Sequence, residues 1–591
     1  MSTHRPQIAL LLMLLMLGSA AAGAQEPETP IFVESVDVEV INVEVFVTDG
    51  DGHRVVGLAK EDFEIYEDGK PVPITNFFAV AREDPVLAGL DRDRAELLGE
   101  PAPRRASPLP EDQRLHLVVY VDHFNLHPQH RARVLDDLGS FLEDRLIQGD
   151  RVMLVGFSRR LEVVEPFTQD RRRVFDGLER MRKVAAHRPI QDAERLRIMG
   201  LMARASREES ALIDLEVQMR NAHQMVRSYV QSTRNDLELS SRALRQTVRS
   251  LAGLPGRKAL LYVSSGLPQR PGEELYELMT DLFGQEAFQG VGPTSDFNPG
   301  MEAMLEDESH LFGEIVQEAN AHQVTFYTVD ARGAGGETAS SPAFPNLSAS
   351  EGGRMVLDQM WTLNLQEPLV RMAETTGGQS ILNTFNFSDV LTDMAEDFDT
   401  FYSLGYQPPP GREPKYHKIE VKVAHPGFRV RHRAGYESKL EADRVSDRTL
   451  SSLLLGLEKN PLGVRVEFGK PEKAGAGKFD LPILVRVPVQ EVTLLFQEAS
   501  AEGRLTFFVV VQDAEGISDM HRQPYPVSIP SEQLEAARGR EIGWAGKLRI
   551  RRGTPTIAVG VWDELSGVES FVQTRVLVEQ PGERGRGRTG R

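Results

Sequence analysis

The chain has 591 residues, 40% of them hydrophobic, which is enough material for several separate cores. A formal net charge of -19 and a pI near 5.3 repel polyanions, so nucleic acid is not expected as a partner. The lack of cysteine rules out a disulfide framework, a thiolate nucleophile, a zinc–cysteine site and a lipid-modified cysteine.

Residues 1–24 read as a cleaved signal peptide, with Arg5 as the positive n-region, Ile8 to Leu17 as the apolar h-region and Ala22-Gly23-Ala24 as the cleavage site. That run is short for a transmembrane helix, and no later segment reaches about 20 apolar residues. No membrane span is therefore expected, and the mature protein is placed in the periplasm or outside the cell.

From residue 33 to 80 the alternation in Val36-Asp37-Val38-Glu39-Val40 and Val43-Glu44-Val45-Phe46-Val47 predicts an N-terminal β-module. Asp49-Gly50-Asp51-Gly52 and Asp68-Gly69 mark its turns. Read as an EF-hand, the first would need a bidentate Glu at the twelfth position, where Lys60 stands. Residues 81–113, with Pro101, Pro103, Pro108 and Pro110, suit an extended linker.

Over 114–407, short apolar strands at 117–122, 151–157, 161–164, 258–263 and 324–329 alternate with helices, one of them from Pro128 to Leu146. This predicts an α/β domain with a doubly wound parallel sheet, combined with all-β modules. A helical insertion over about 190–250 carries Ile198, Leu201, Ala205, Leu212, Leu215, Met219 and Tyr229 at coiled-coil-like spacing. It suits either an arm that offers a partner surface or a segment folded back on its own domain, the second being favoured. Segments 284–307 and 332–360 read as long loops. A β extension of the central unit follows at 408–440, a C-terminal β-sandwich at 450–580 and a disordered basic tail at 581–591.

Several segments together resemble the bacterial secreted family of VWFA-related proteins, with a von Willebrand factor A (VWA) domain at the centre. They are Glu61-Asp62-Phe63-Glu64-Ile65-Tyr66-Glu67-Asp68-Gly69-Lys70, Gly149-Asp150-Arg151-Val152, Pro255-Gly256-Arg257-Lys258, Phe326-Tyr327-Thr328-Val329-Asp330-Ala331-Arg332-Gly333, Tyr402-Ser403-Leu404-Gly405-Tyr406 and Arg433-Ala434-Gly435-Tyr436. The resemblance implies a Rossmann-type sheet. In metal-binding members it also implies an Asp-x-Ser-x-Ser loop, a Thr from a second loop and a later Asp, which hold Mg²⁺ and leave a position for a partner carboxylate. Here Asp122 matches, Phe124 and Leu126 replace both serines, Ala185 to Pro189 offers no clear Thr, and Ser265 stands where the later Asp is implied. One carboxylate cannot replace the hydration shell of Mg²⁺, so the usual site is expected to be absent and no cofactor is expected.

A divalent cation (Mg²⁺, Mn²⁺ or Zn²⁺) remains the alternative, because His116, His123, His127 and His130 fall within fifteen residues. Asp122, His123 and His127 would be its ligands, imidazole suiting zinc better than magnesium. No H-E-x-x-H or G-x-S-x-G motif occurs, and Gly477-Lys478 is followed by Phe479 with Glu472 where a P-loop needs glycine. The expectation is therefore a non-enzymatic protein-binding module that uses Asp122, His123, Asn125 and Ser265 as its binding loop. A metal-dependent adhesion or regulatory protein, or an enzyme of unrecognised class, are the alternatives.

Overall fold

The computed structural model describes residues 40–81, 114–147, 150–185, 187–206, 212–283, 299–333, 351–408, 415–475, 477–497, 499–513 and 516–578. The expected signal peptide, nearly all of the linker and the basic tail lie outside the described residues.

The chain first forms β1 (Ile41–Thr48), β2 (Phe63–Glu67), β3 (Lys70–Val72) and β4 (Asn76–Ala81). The central domain contributes β5 (Leu115–Asp122), α1 (Pro128–Ile147), β6 (Arg151–Phe157), β7 (Leu161–Thr168), α2 (Arg171–Arg182), α3 (Arg188–Ala205), α4 (Leu212–Ser250) and β8 (Arg257–Ser264). It continues with α5 (Glu273–Phe283), α6 (Pro299–Leu305), α7 (Ser309–Ala321), β9 (Val324–Asp330), α8 (Glu351–Thr375), β10 (Ser380–Ile381) and α9 (Phe387–Asp399). Then come β11 (Thr400–Tyr406), β12 (Tyr416–Val423), β13 (Arg429–His432) and β14 (Gly435–Glu437).

The central sheet runs β10-β9-β8-β5-β6-β7, parallel throughout except for the edge strand β7. Its strands are buried on both faces, which explains why they read as unbroken apolar runs rather than alternating ones. One face packs Val119, Val121 and Leu261 against α1, α2 and α9. The other packs Val118, Tyr120 and Tyr262 against α4, α7 and α8. The order of connection reverses between β5 and β8, and in an open sheet the crevice at the carboxyl ends of such a pair is where ligands bind.

The N-terminal module does not close on itself. β1 pairs with β11 and β13, and β2 pairs with β12, so two four-stranded sheets, β13-β1-β11-β4 and β14-β12-β2-β3, share one core of Val43, Val45, Ile65, Leu404, Ile419 and Tyr436. The expected module at 33–80 and the expected extension at 408–440 are thus two halves of one sandwich. The central domain is inserted between them, and β11 belongs to the sandwich rather than to the domain expected to end at 407. Half a sandwich would leave one face of each strand unburied, so the pieces fold as one.

The helical insertion folds back on its own domain. Leu196, Met199, Met202, Met219, Val226 and Tyr229 pack against α5 and Leu357 of α8, while Leu244, Val248 and Leu251 in the later part of α4 cover the sheet itself. The two expected long loops also hold helix: α6 occupies the end of the first and α8 begins within the second. α8 buries Leu357, Trp361, Leu365, Leu369 and Met372, touching both the sheet-side cluster and the insertion. A helix apolar on several sides shows no single stripe in the sequence.

After α10 (Glu441–Leu455) the chain builds β15 (Arg465–Phe468), β16 (Glu472–Lys473), β17 (Lys478–Pro488), β18 (Leu495–Phe496), β19 (Ser500–Asp513), β20 (Gly516–Ile517), β21 (His521–Pro530), β22 (Glu541–Arg551), β23 (Thr556–Asp563) and β24 (Glu569–Arg575). Two antiparallel sheets, one centred on β17 and one on β19, enclose Leu481, Val485, Phe507, Val509 and Val559. The expected sandwich is present. α10 lies ahead of its expected start at 450 and covers its outer face. Buried Thr449, Ser451 and Ser452 stand where an apolar stripe would have signalled that helix.

Candidate functional site at the carboxyl end of the sheet

Asp122 ends β5 at the switch point, and its lone pairs are already in use. Oδ1 accepts from the Asn125 backbone N–H at 3.1 Å, while Oδ2 accepts from Asn125 Nδ2 at 2.9 Å and from the Tyr262 hydroxyl at 2.5 Å. Burial pushes its pKa up, and these hydrogen bonds oppose the rise by favouring the charged form. Asn125 Nδ2 also donates to Ser240 Oγ on α4 at 2.9 Å, which ties the insertion to the strand end.

The loop that follows is knitted into its neighbours rather than opened toward solvent. Phe124 N–H donates to Phe157 O at 3.0 Å and Ser265 N–H donates to Asn125 O at 2.9 Å. The Phe124 ring stacks on His187 at 4.5 Å, and Leu126 is part of the sheet core. Apolar side chains at the two positions where the resemblance implies serines are therefore packing residues.

His123 points away from Asp122. Its Nδ1 lies 3.3 Å from Arg131 Nη1, and a guanidinium can only donate, so Nδ1 carries the lone pair and Nε2 the proton. Burial, reinforced by the Arg131 charge, pushes the imidazole pKa down to about 3, which keeps the ring neutral. His127 turns the other way, with Nε2 at 2.8 Å from Asp192 Oδ2 on α3. Burial raises the Asp192 pKa, but Arg188, the His127 hydrogen bond and Arg195 outweigh it and hold the carboxyl well below its usual range.

The loop after β8 is locked as well. Pro368 inside α8 has no N–H, so the carbonyl of Asn364, one turn earlier, is free to accept from Gln269 N–H at 3.2 Å. The Asn364 side chain completes the clamp, accepting from Arg270 N–H and donating to Arg270 O, each at 2.7 Å. Gly266 takes φ +92°, and a Cβ there would lie 2.7 Å from Leu365 O, so only glycine allows this approach. Ser265 is held beneath, fully buried, with its Oγ unpartnered.

Asp122, Asn125 and Ser265 are thus brought together, while His123 and His127 are directed to other partners. All five are buried, at 1%, 4%, 0%, 1% and 8% exposure respectively, so a protein partner cannot touch the expected binding loop directly. The fallback ligand set Asp122, His123 and His127 does not converge. The two groups of three metal-ligating side chains found among the described residues lie elsewhere, at Asp49, Asp51 and His53 and at Glu67, Asp68 and His417. Asp330, at the end of β9, is held by Arg332 and by Gln366 at 2.8 Å and does not join Asp122. What remains between Asn125, Asp192, Thr233, Asp236 and Trp361 is a cavity of about 10 Å³, room for about one water molecule.

Sequence reasoning missed Tyr262, Arg131, Ser240, Asp192 and the role of Pro368 inside α8. One signal was present: a tyrosine inside a buried apolar strand needs a partner for its hydroxyl. Tyr262 pairs in register with Tyr120, two residues before Asp122.

No protein-family model matches the chain, and no curated protein matches it either. Among solved structures it is similar to the putative ApaA protein from Bordetella pertussis, at 8% identity over 20% of this chain and 95% of that one, with a TM-score of 0.14. A structural-genomics target, SoR45, matches at 13% identity over 22% of this chain and 95% of that one, with a TM-score of 0.14. The pilus adhesin SpaC from Lactobacillus rhamnosus GG, in its open conformation, matches at 8% identity with a TM-score of 0.24. That match spans 87% of this chain but only 56% of the adhesin. Likenesses of this size carry no argument about function. Among the described residues no helix is long and apolar enough to cross a membrane.

Proposed function

We propose that this chain is an exported, non-enzymatic protein-binding protein of the VWFA-related kind, whose VWA-like domain works without the usual Mg²⁺ site. The observation that carries this reading is the hydrogen-bonding of Asp122. Tyr262 and Asn125 supply donors where a cation would need open lone pairs, and Ser240 and α8 close the crevice above. An ion at Asp122 would have to displace three hydrogen bonds in a buried site and find its remaining ligands among Phe124, Leu126 and a sealed Ser265. With the binding loop enclosed, recognition falls to the outer faces of the domain and the two sandwiches.

Chemical cross-linking of the mature protein in its native envelope, with and without a chelator, tests this. The expected result is that partner cross-links persist in chelator and map outside residues 122–127 and 264–266. Cross-links lost in chelator, restored by Mg²⁺ and abolished in Asp122→Asn would contradict it.

A further inference from the structure

In the first sandwich, β4 (Asn76–Ala81) is an edge strand. It pairs with β11 along its whole length, and no other strand among the described residues pairs with its outer side. A row of backbone N–H and C=O groups therefore stays open there. Such a row is a template for another strand, and folds blunt it with charge, with proline or by keeping the edge very short. Among the described residues, every other edge strand longer than two residues follows that rule. β3, β7, β13, β14, β15, β21, β22 and β24 all carry charged residues, and β3, β7 and β21 carry proline as well. β4 reads Asn76-Phe77-Phe78-Ala79-Val80-Ala81 and has neither.

The strand is anchored on its inner face and bare on its outer one. The Phe77 ring lies 5.9 Å from Phe63 and 6.1 Å from Tyr402, inside the sandwich. Successive strand residues face opposite sides, so Phe78 turns outward, and it is 51% exposed. Ala79 is exposed too. The register with β11 runs unbroken from Asn76↔Gly405 to Ala81↔Thr400, without a bulge to twist the edge away. Charge selects the occupant. The chain carries -19, so two copies repel over most of their surfaces and least where a strand bears no charge. Antiparallel pairing of β4 with itself sets only Asn, Phe, Ala and Val opposite one another, and no like charges meet across it.

We propose that β4 docks against β4 of a second copy of this chain, antiparallel, so that the sheet β13-β1-β11-β4 of one copy runs on into that of its mate. A two-fold axis through the middle of the strand, between Phe78 and Ala79, closes the pair, because the same surface then serves both copies. Strands of six residues bury less than the roughly 800 Å² per partner of a standard stable interface, so the dimer forms and dissociates with concentration. The pairing concerns the chain's own assembly and does not depend on which partner its outer faces recognise.

Light scattering on a dilution series of the mature protein, beside single-cysteine variants, tests the pairing. The expected mass rises toward that of a dimer as concentration increases. Phe78→Lys places a charge on the edge at an already exposed side chain, so it should move the association midpoint to at least about tenfold higher concentration and leave Tm unchanged. The chain has no cysteine of its own, so an introduced one reports only its own neighbour. Oxidation of Phe78→Cys should give a covalent dimer, and oxidation of Arg429→Cys, on the opposite edge strand β13, should not. A protein that stays monomeric at every concentration, association that Phe78→Lys leaves unchanged, or cross-linking that runs as readily through Arg429→Cys would each overturn the proposal. A monomer whose β4 amides resist hydrogen exchange would also overturn it, because something other than a second copy then covers the edge.

Discussion

The carboxyl end of the central sheet and the turn after β2 each set an acidic residue near histidine in the sequence or the fold, and they differ in whether the two meet. At Asp122 every oxygen faces a donor from the chain itself, and the neighbouring histidines are engaged by Arg131 and Asp192. At the turn after β2, His417 Nδ1 instead bonds Asp68 Oδ2 directly at 3.0 Å, and Tyr436 donates to Glu67 at 3.1 Å. The difference teaches that closeness in sequence nominates a cluster, while the hydrogen bonds each side chain makes decide which groups come together.

The most severe way to break this comparison is to remove the cap from the sheet end. Deleting residues 195–235 strips the α3–α4 cluster from α5 and α8, each fully buried apolar side chain contributing about 1.5–3 kcal/mol. Loss of cooperative thermal unfolding is expected. A deletion variant that melts like wild type would show that the segment is an independent arm after all.

A smaller change isolates the network. Tyr262→Phe keeps the ring but leaves the buried Asp122 carboxylate without its shortest hydrogen bond, so urea unfolding should show a loss of about 1–3 kcal/mol. An unchanged midpoint would mean that the hydroxyl does not stabilise the closed end.

Acid titration adds a milder test. Burial holds His116 and His130 down to about 4 and His123 to about 3, below the unfolded value of about 6.5. Between those values the unfolded chain binds more protons. The stability from these neutral rings is therefore complete above about pH 6.5 and is lost as pH falls toward 4, by up to about 1.4 kcal/mol per pH unit for each ring. Asp122, raised by burial, acts in the opposite sense and makes the net slope shallower. Unfolding free energies measured from pH 7 to 4 should decline, and His123→Gln should decline less steeply. The smallest expected effect is at the other cluster, where Asp68→Asn should shift stability by no more than about 1 kcal/mol, since Asp68 lies on the exposed rim.

Much of the architecture was legible in the sequence because buried strands and amphipathic helices carry strong periods. β5, β6 and β8 appear within two residues of where their apolar runs begin and end, and α1 starts at Pro128 as its position demanded. The sandwich was misdivided because strand pairing is non-local: nothing in Val43 to Val47 announces that its neighbours are Tyr402 and Val430. Asp122, Asn125 and Ser265 do meet at the sheet end, but as buried residues rather than as an exposed binding loop. Phe124 and Leu126 had already signalled a packed loop, but closure depends on Tyr262, Ser240 and the carbonyl freed by Pro368, contacts that span 140, 115 and about 95 residues.

The most direct test of the closed sheet end is calorimetric titration of Mg²⁺ and Mn²⁺ into the mature protein. The expected trace shows no saturable binding and is identical when Asp122→Asn is added. Saturable binding that disappears with Asp122→Asn would contradict the closed end and restore a metal-dependent site at Asp122.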